Sequence, residues 1–165
     1  MVKTLLDMSE LQTVSRDETI AVDALVDEVL VDLEPLAQEK EIKLIGNCND
    51  TTMVGSDILI YRMVYNLVEN AIKYNHFGGQ VTVTAYRKGK NICLSVEDTG
   101  SGIPAELKER IFEPFFRVDK SRSRQLGGVG LGLALVREIV RVHDGRITVQ
   151  SSPSGGTIFE VVFTQ

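Results

Sequence analysis

Apolar residues change their spacing near residue 80, from the three- and four-residue steps typical of helices to the alternation typical of β-strands. Before this point, two amphipathic stripes predict helices over about 22–40 and 57–75. After it, alternation predicts strands over about 81–85 and 92–96, with a turn at Gly89. Helices with one apolar stripe and a sheet with one apolar face can bury each other. The sequence therefore predicts an α/β fold, a two-layer α/β sandwich with a mixed, mostly antiparallel sheet and the helices on one face.

Weaker patterns complete the predicted order of elements. Further strands are expected over about 41–47, 51–55, 146–150 and 157–163, and further helices over about 105–111 and 131–142. Asp57 is the expected N-cap of the second long helix. Residues 1–20 predict the end of a helix followed by a linker, which leaves 21–165 as a single domain. The loop over about 99–128 is long enough to suggest a functional lid.

Composition excludes several classes of protein. The chain has 165 residues and a net charge of −5, which argues against general binding to nucleic acid. A phosphate ligand would therefore need a local positive patch. Cys48 and Cys93 lie far apart in separate apolar strings, as buried thiols in a reducing compartment do. No apolar run approaches the roughly 20 residues that cross a bilayer, so we expect a soluble domain without direct membrane contact.

Three polar residues share one strip of the second long helix. Asn66, Asn70 and Lys73 are separated by four and three residues, which places them together beside the apolar stripe. An amide oxygen is a hard ligand suited to Mg²⁺, and a lysine is a point charge suited to phosphate. The alternative is a polar helix face without function. Asparagine is a poor helix former, so two of them at mid-helix favour a site.

A carboxylate followed by glycines stands directly after a predicted strand. Asp98 ends this segment, and Gly100, Gly102 and Ile103 follow. Glycines let the backbone approach a ligand, and a carboxylate accepts a hydrogen bond from an exocyclic amine such as that of adenine. Guanine would present an acceptor oxygen instead, so the pattern favours adenine. The alternative, an ordinary turn after a strand, stays open at this point.

The remaining candidates lie in the predicted lid and at the start of the last helix. Glycines over 127–132 open onto that helix, whose N-terminus would favour an anion, while a hinge without a ligand is the alternative. Four basic residues and one acid over 117–124 form a local positive patch. Phe112, Phe115 and Phe116 are either core residues or an exposed docking patch.

Four sets of residues, taken in chain order, resemble the N, G1, F and G2 boxes of the histidine kinase catalytic domain. They are the polar strip with Asn66 and Asn70, Asp98 with its glycines, the phenylalanines with the basic residues of 117–124, and the glycines over 127–132. That domain belongs to the superfamily that also contains DNA gyrase, the heat-shock chaperone ATPase and the mismatch-repair ATPase. The resemblance extends from about Val22 to Phe163. It implies the Bergerat-type ATP-binding fold with a mobile ATP lid, and it implies that residues 1–20 hold the end of a dimerisation helix and the linker.

The resemblance implies a role for each matching residue. Asn70 would hold Mg²⁺, and Asn66 would lie near the phosphates. Lys73 and Tyr74 would contact phosphate or ribose, and Asp98 would bind the adenine amine. The other residues implied to bind ATP are Gly100, Gly102, Ile103 and Thr157 around the base and ribose, and Gly128, Val129, Gly130, Leu131 and Gly132 in the lid hinge and phosphate cradle. The residues implied to act in catalysis are Lys73 and the lid residues Arg117 and Arg122, and those implied to dock the dimerisation domain are Phe112, Phe115 and Phe116.

The implied activity is transfer of the ATP γ-phosphoryl group to a histidine on the dimerisation domain of the same kinase, with a response regulator downstream. No phosphoacceptor box is present in the 165 residues, so this chain is expected to bind ATP without phosphorylating itself. The resemblance further implies a cytoplasmic domain of a membrane-anchored parent, dimeric at full length and monomeric as this fragment.

Two other functions stay open at this point. One is an ATP-hydrolysing module of the gyrase kind, but Asn66 occupies the place where those enzymes carry a catalytic glutamate. The other is an adaptor that docks through its phenylalanines without turnover, against which the retained Asn70, Asp98 and glycines argue. The sequence departs from the family pattern at Val129, where a small hydroxyl residue is frequent, and at Asp144, where glycine is common.

Overall fold

A computed structural model describes residues 11–114 and 132–165 of the chain. The helices are α1 (Val22–Glu39), α2 (Asp57–Lys73) and α3 (Gly132–Val142), with 3-10 turns at Leu11–Thr13, Ala105–Leu107 and Arg110–Phe112. The strands are β1 (Glu18–Ala21), β2 (Lys43–Cys48), β3 (Thr52–Gly55), β4 (Gln80–Lys88), β5 (Asn91–Asp98), β6 (Arg146–Ser151) and β7 (Thr157–Thr164). The predicted order of long helices and strands is confirmed.

Five of these strands form one sheet in the order β2-β4-β5-β7-β6. The β2–β4 pair is parallel, and the other three pairs are antiparallel. Helix α1 packs on β2, α2 on β4 and β5, and α3 on β6, while α2 also contacts both other helices. This is the predicted two-layer α/β sandwich with a mixed, mostly antiparallel sheet.

The core lies between α2 and the centre of the sheet. The apolar stripe of α2 is fully buried at Ile60, Met63 and Leu67, opposite strand residues that include Val96 and Phe159. Val96 and Phe159 are register partners on β5 and β7. Because burying one such side chain contributes about 1.5–3 kcal/mol, this stripe holds α2 against the sheet at β4 and β5.

The N-cap of α2 corrects one expectation. Ser56, and not Asp57, is the capping residue, and its hydroxyl oxygen accepts the N–H of Leu59 at 3.3 Å. Asp57 is the first helical residue, where its negative charge still favours the positive end of the helix dipole.

The segment before α1 differs from the expected linker. Glu18–Ala21 forms β1, which pairs antiparallel with β3 in a separate two-stranded sheet. Ile20 is buried there opposite Met53. Polar residues precede Ile20, but it runs directly into Ala21 and the apolar stripe of α1, so no alternation marks a strand here and the sequence pattern did not predict it. The boundary between linker and domain at residue 21 stays a prediction, although Leu11 and Ile20 belong to the core.

The short helix expected over 105–111 is replaced by two 3-10 turns. Helix nucleation is costly, and a seven-residue segment has too few turns to recover that cost, so the chain adopts tighter local turns instead.

Candidate functional site

The candidate site is organised around Asp98, the last residue of β5. Strand alternation places its side chain on the helix-facing side of the sheet, together with Val96 and Leu94, and only 7% of the residue is exposed. One carboxylate oxygen, Oδ1, accepts the N–H of Gly100 at 2.8 Å and that of Thr157 at 3.3 Å. The side chain is therefore fixed by the loop after its own strand and by the first residue of β7.

The other carboxylate oxygen, Oδ2, accepts no hydrogen bond from the described residues. Burial raises the pKa of Asp98, and the two N–H groups on Oδ1 oppose that rise because they stabilise the charged form. Glu97 also raises this pKa, and His76 lowers it. A buried carboxylate with one anchored oxygen and one open oxygen is suited to receiving a donor from a ligand.

Glycines allow the segments around Asp98 to approach closely. A Cβ on Gly156 would lie 2.0 Å from the carbonyl oxygen of Asp98, and a Cβ on Gly100 would lie 2.5 Å from the carbonyl oxygen of Tyr74. Gly102 has a φ of +77°, and a Cβ there would lie 2.6 Å from the carbonyl oxygen of Gly155. A residue with a side chain would not fit at these three positions. The glycines therefore allow the loop after β5 to contact both the end of α2 and the turn before β7.

The second half of α2 carries the polar strip predicted from the sequence. Asn66, Asn70 and Lys73 are all half-buried, beside the fully buried Leu67 and Val68. The side-chain amides of Asn66 and Asn70 make no hydrogen bond with the described residues. Two half-buried amides without partners are therefore available to a ligand.

Lys73 is already engaged with a residue of its own helix. Its ammonium nitrogen lies 3.8 Å from Oε1 of Glu69, and the two side chains are 28% and 31% exposed. Such a partly exposed i, i+4 pair contributes only about 0.3–0.5 kcal/mol, so a phosphate can displace the glutamate at little cost.

Asn75 has a role in this arrangement that the sequence pattern did not predict. The residue is 1% exposed, and its Nδ2 donates to the carbonyl oxygen of Gln80 at 3.0 Å. Its Oδ1 accepts the N–H of His76 at 2.8 Å and the hydroxyl of Thr99 at 3.1 Å. This amide joins the end of α2 to the start of β4 and to the residue after Asp98. The available signal was an asparagine at a helix end before the Gly78-Gly79 turn.

The structure brings together Asp98, Gly100, Gly102 and Thr157, with Tyr74 against Gly100. Ile103 is partly buried against the core, and Gly132 is the first residue of α3. The predicted site residues outside the described part of the chain are Phe115, Phe116, Arg117, Arg122, Gly128, Val129, Gly130 and Leu131.

Of the two interpretations of Phe112, the structure supports the core residue. Phe112 is 7% exposed, and its ring meets that of Phe159 edge-on, with 6.2 Å between centroids and 81° between planes. Phe112 is therefore a core residue here, and the docking role for the three phenylalanines stays a prediction.

The family model described as "Histidine kinase-, DNA gyrase B-, and HSP90-like ATPase" matches residues 55–165. The chain belongs to this ATPase family. The match includes α2, the loop after β5 and the start of β7, which are the segments that meet at Asp98.

Relatives within this family are sensor kinases. The sensor-like histidine kinase SenX3 of Mycobacterium tuberculosis is 39% identical over 163 residues, which cover 96% of this chain and 40% of that protein. The alginate biosynthesis sensor protein KinB of Pseudomonas aeruginosa is 46% identical over 100 residues, which cover 61% of this chain and 16% of that protein. The chain thus spans about 40% of the length of its SenX3 relatives.

Solved structures give the same result. The catalytic domain of histidine kinase ThkA has a TM-score of 0.81 at 27% identity, covering 91% of this chain and 96% of that one. The Acinetobacter baumannii histidine kinase AdeS has a TM-score of 0.81 at 25% identity, covering 99% of this chain and 76% of that one. The resemblance to the catalytic domain of sensor histidine kinases, drawn above from four motifs, is confirmed, and the gyrase-like and adaptor alternatives are not favoured. Within the described ranges, no helix combines the length and apolar character that crossing a bilayer requires.

Proposed function

We propose that this chain binds ATP with Mg²⁺ and, as the catalytic part of a sensor histidine kinase, transfers the γ-phosphoryl group to a histidine on a dimerisation domain. The observation that carries the proposal is the buried Asp98 carboxylate, whose Oδ1 is anchored by two N–H groups while Oδ2 stays open. That arrangement supports recognition of a purine by a single, fixed acceptor.

Adenine fits this acceptor and guanine does not. The exocyclic amine of adenine donates to Oδ2 of Asp98, whereas guanine would direct an oxygen lone pair at the same carboxylate. A hydrogen bond to a charged group contributes about 1.5–3 kcal/mol, so ATP should bind at least about tenfold more tightly than GTP. Gly100 and Gly102 leave room for the base because neither adds a side chain to the loop.

The donor set on α2 fits Mg²⁺ held jointly with phosphates. The amides of Asn66 and Asn70 have no partner among the described residues. Those residues also contain no cluster of three or more His, Cys, Asp or Glu side chains that could hold a metal ion alone. Mg²⁺ is commonly bound by one or two side-chain oxygens together with substrate phosphates, and Asn70 would supply such an oxygen. When bound, the ion neutralises phosphate charge as it does in other phosphoryl transfers.

The chain's own residues act mainly by positioning and charge. Lys73 leaves Glu69 and pairs with a phosphate, and Arg117 and Arg122 supply further positive charge toward the terminal phosphates. Asp98 fixes the base, so the triphosphate extends from one defined point toward Asn70.

Transfer to an acceptor is favoured over hydrolysis. Asn66 stands one turn before Asn70, where a gyrase-like ATPase needs a glutamate to activate water. Glu69 is about 100° around the helix from Asn70 and faces Lys73 instead. This site therefore lacks a placed base for water on α2.

The proposal extends to the parent protein. ThkA has been solved in complex with a response regulator protein, TrrA, and we propose a response regulator as the downstream partner here too. In this proposal, the dimerisation domain makes the full-length kinase a dimer, and the response regulator receives the phosphoryl group from it. This domain would lie on the cytoplasmic side, where ATP is available.

Addition of a separate phosphoacceptor domain tests the proposed reaction. The chain is mixed with γ-labelled ATP, Mg²⁺ and the dimerisation domain of its own kinase, and acid-labile label on that domain is followed with time. The expected result is label on the added domain, with little released phosphate when it is omitted. Steady phosphate release without an acceptor would contradict phosphoryl transfer as the activity. An added domain with its phosphoacceptor histidine replaced by alanine is the matched control.

A further inference from the structure

Lys40 directly follows α1, and its side chain reaches the C-terminal end of the neighbouring helix α2. Its ammonium nitrogen donates to three backbone carbonyl oxygens, those of Ile72 at 3.2 Å, Lys73 at 3.0 Å and Asn75 at 2.8 Å. An ammonium group has three protons, so this geometry uses its whole donor capacity on one helix end. A cation there also meets the negative end of the helix dipole.

The backbone around Lys40 reinforces the same contact. The carbonyl oxygen of Lys40 accepts the N–H of Gly78 at 2.8 Å, and the N–H of Lys43 donates to the carbonyl oxygen of Gly79 at 3.0 Å. The junction between α1 and β2 therefore holds both the last turn of α2 and the turn that follows it.

That last turn carries the phosphate side of the candidate site. Lys73 is its final helical residue, and the carbonyl oxygen of Asn70 accepts the N–H of Tyr74 at 3.2 Å. The same segment touches the adenine side, because Tyr74 lies against Gly100 and Asn75 bonds Thr99. The separation between Asn70 and Asp98 therefore depends on where the end of α2 is held.

We propose that Lys40 is a positioning residue for nucleotide binding, which sets the end of α2 so that Asn70 and Lys73 meet the phosphates of a nucleotide whose base is held at Asp98. The inference rests on the proposed ATP site and adds a residue that acts through α2 and lies outside the four motifs. Asp98 is anchored independently, by Gly100 and Thr157. Loss of the Lys40 contacts should therefore weaken binding of the terminal phosphates more than binding of the base.

Calorimetric titration with ATP and with AMP, both in Mg²⁺, separates these effects. Lys40→Met removes the charge and donors but keeps an unbranched apolar stem, and Lys40→Arg keeps a cation. Loss of one hydrogen bond to a charged group weakens binding by about tenfold or more, so Lys40→Met should raise the Kd for ATP about tenfold and that for AMP less than about twofold. Lys40→Arg should recover most of the ATP affinity. Lys43→Met, an exposed lysine three residues away, is the matched control and should bind ATP as the wild type does.

Each variant is titrated at a temperature where circular dichroism shows it folded, and Lys40→Gln replaces Lys40→Met if the latter does not fold. An unchanged Kd for ATP in a folded variant would overturn the positioning role, and so would equal losses for ATP and AMP, which indicate general loosening. A wild-type chain that binds no ATP would instead refute the proposed function, so the two failures are distinguishable.

Discussion

The backbone N–H of Thr157 donates to Oδ1 of Asp98 at 3.3 Å, so the first residue of β7 fixes the side chain that ends β5. This bond joins two central strands that are already register partners from Asn91 to Glu97. Because Gly100 binds the same oxygen, the carboxylate has one settled orientation before any ligand arrives. A preorganised acceptor loses little conformational entropy on binding, which favours affinity and specificity together.

Replacing Asn70 by alanine should separate metal-dependent binding from folding. The Asn70 side chain makes no hydrogen bond with described residues, and alanine is the better helix former, so stability should stay equal or rise by about 0.5 kcal/mol. Calorimetric titration should show that Mg²⁺ no longer strengthens ATP binding. Asn49→Ala, at an exposed position after β2, is the control. Retention of the Mg²⁺ effect in Asn70→Ala would remove Asn70 from the metal site.

His143 should make stability fall in mild acid. Its Nδ1 bonds the carbonyl oxygen of Ile139 at 2.8 Å and therefore carries the proton, while Nε2 accepts the N–H of Ser56 at 3.0 Å. Burial lowers the pKa of His143 below its usual 6.5, and Arg16 adds to this, whereas the Ile139 carbonyl and Asp144 oppose it. The folded state thus prefers the neutral ring, and its contribution is complete above about pH 6.5 and lost as pH falls toward the lowered pKa.

Denaturant unfolding between pH 7 and pH 5 measures this effect. The free energy of unfolding should fall by at most about 1.4 kcal/mol per pH unit, the limit for one proton. His143→Gln should flatten the dependence, and His76→Gln, which changes an exposed histidine, should keep it. An identical slope in His143→Gln and the wild type would show that His143 is not the group responsible.

Asp144 is expected to carry backbone strain that glycine would relieve. Its φ of +57° lies in the left-handed region, which costs a residue with a side chain about 1 kcal/mol, somewhat less for aspartate. Asp144→Gly should therefore raise the free energy of unfolding by about 0.5 kcal/mol, as measured by thermal and urea denaturation. Asp50→Gly, at an exposed position without a positive φ, should lower it or leave it unchanged. Lower stability in Asp144→Gly would mean that other interactions of the aspartate outweigh the strain.

Local patterns made Asp98 and the strip on α2 predictable. A carboxylate at the end of an alternating segment and polar residues at three- and four-residue steps are visible without knowledge of the fold. The glycines after Asp98 were also predictable, because they follow directly on the predicted strand in the sequence.

Long-range contacts were not predictable in this way. Lys40 acts on carbonyls that are 32 to 35 residues away, and the amide of Asn75 reaches Thr99 after an intervening hairpin. Ile20 is buried where β1 pairs with β3, a pairing that the local sequence does not indicate. These residues use ordinary side chains whose partners are set by the tertiary fold, so no spacing rule distinguishes them from surface positions.

The most direct test of the account is a calorimetric comparison of ATP and GTP on the wild type and on Asp98→Asn. Asparagine keeps an oxygen for the N–H groups of Gly100 and Thr157, but it presents an NH₂ group to the adenine amine, and it removes the cost of burying a charge. The variant should therefore be at least as stable as the wild type at pH 7 and bind ATP about tenfold or more weakly, without preference over GTP. Asp50→Asn should change neither property. Equal affinity of the wild type for ATP and GTP, or full ATP affinity in Asp98→Asn, would contradict the assignment of Asp98 as the residue that recognises adenine.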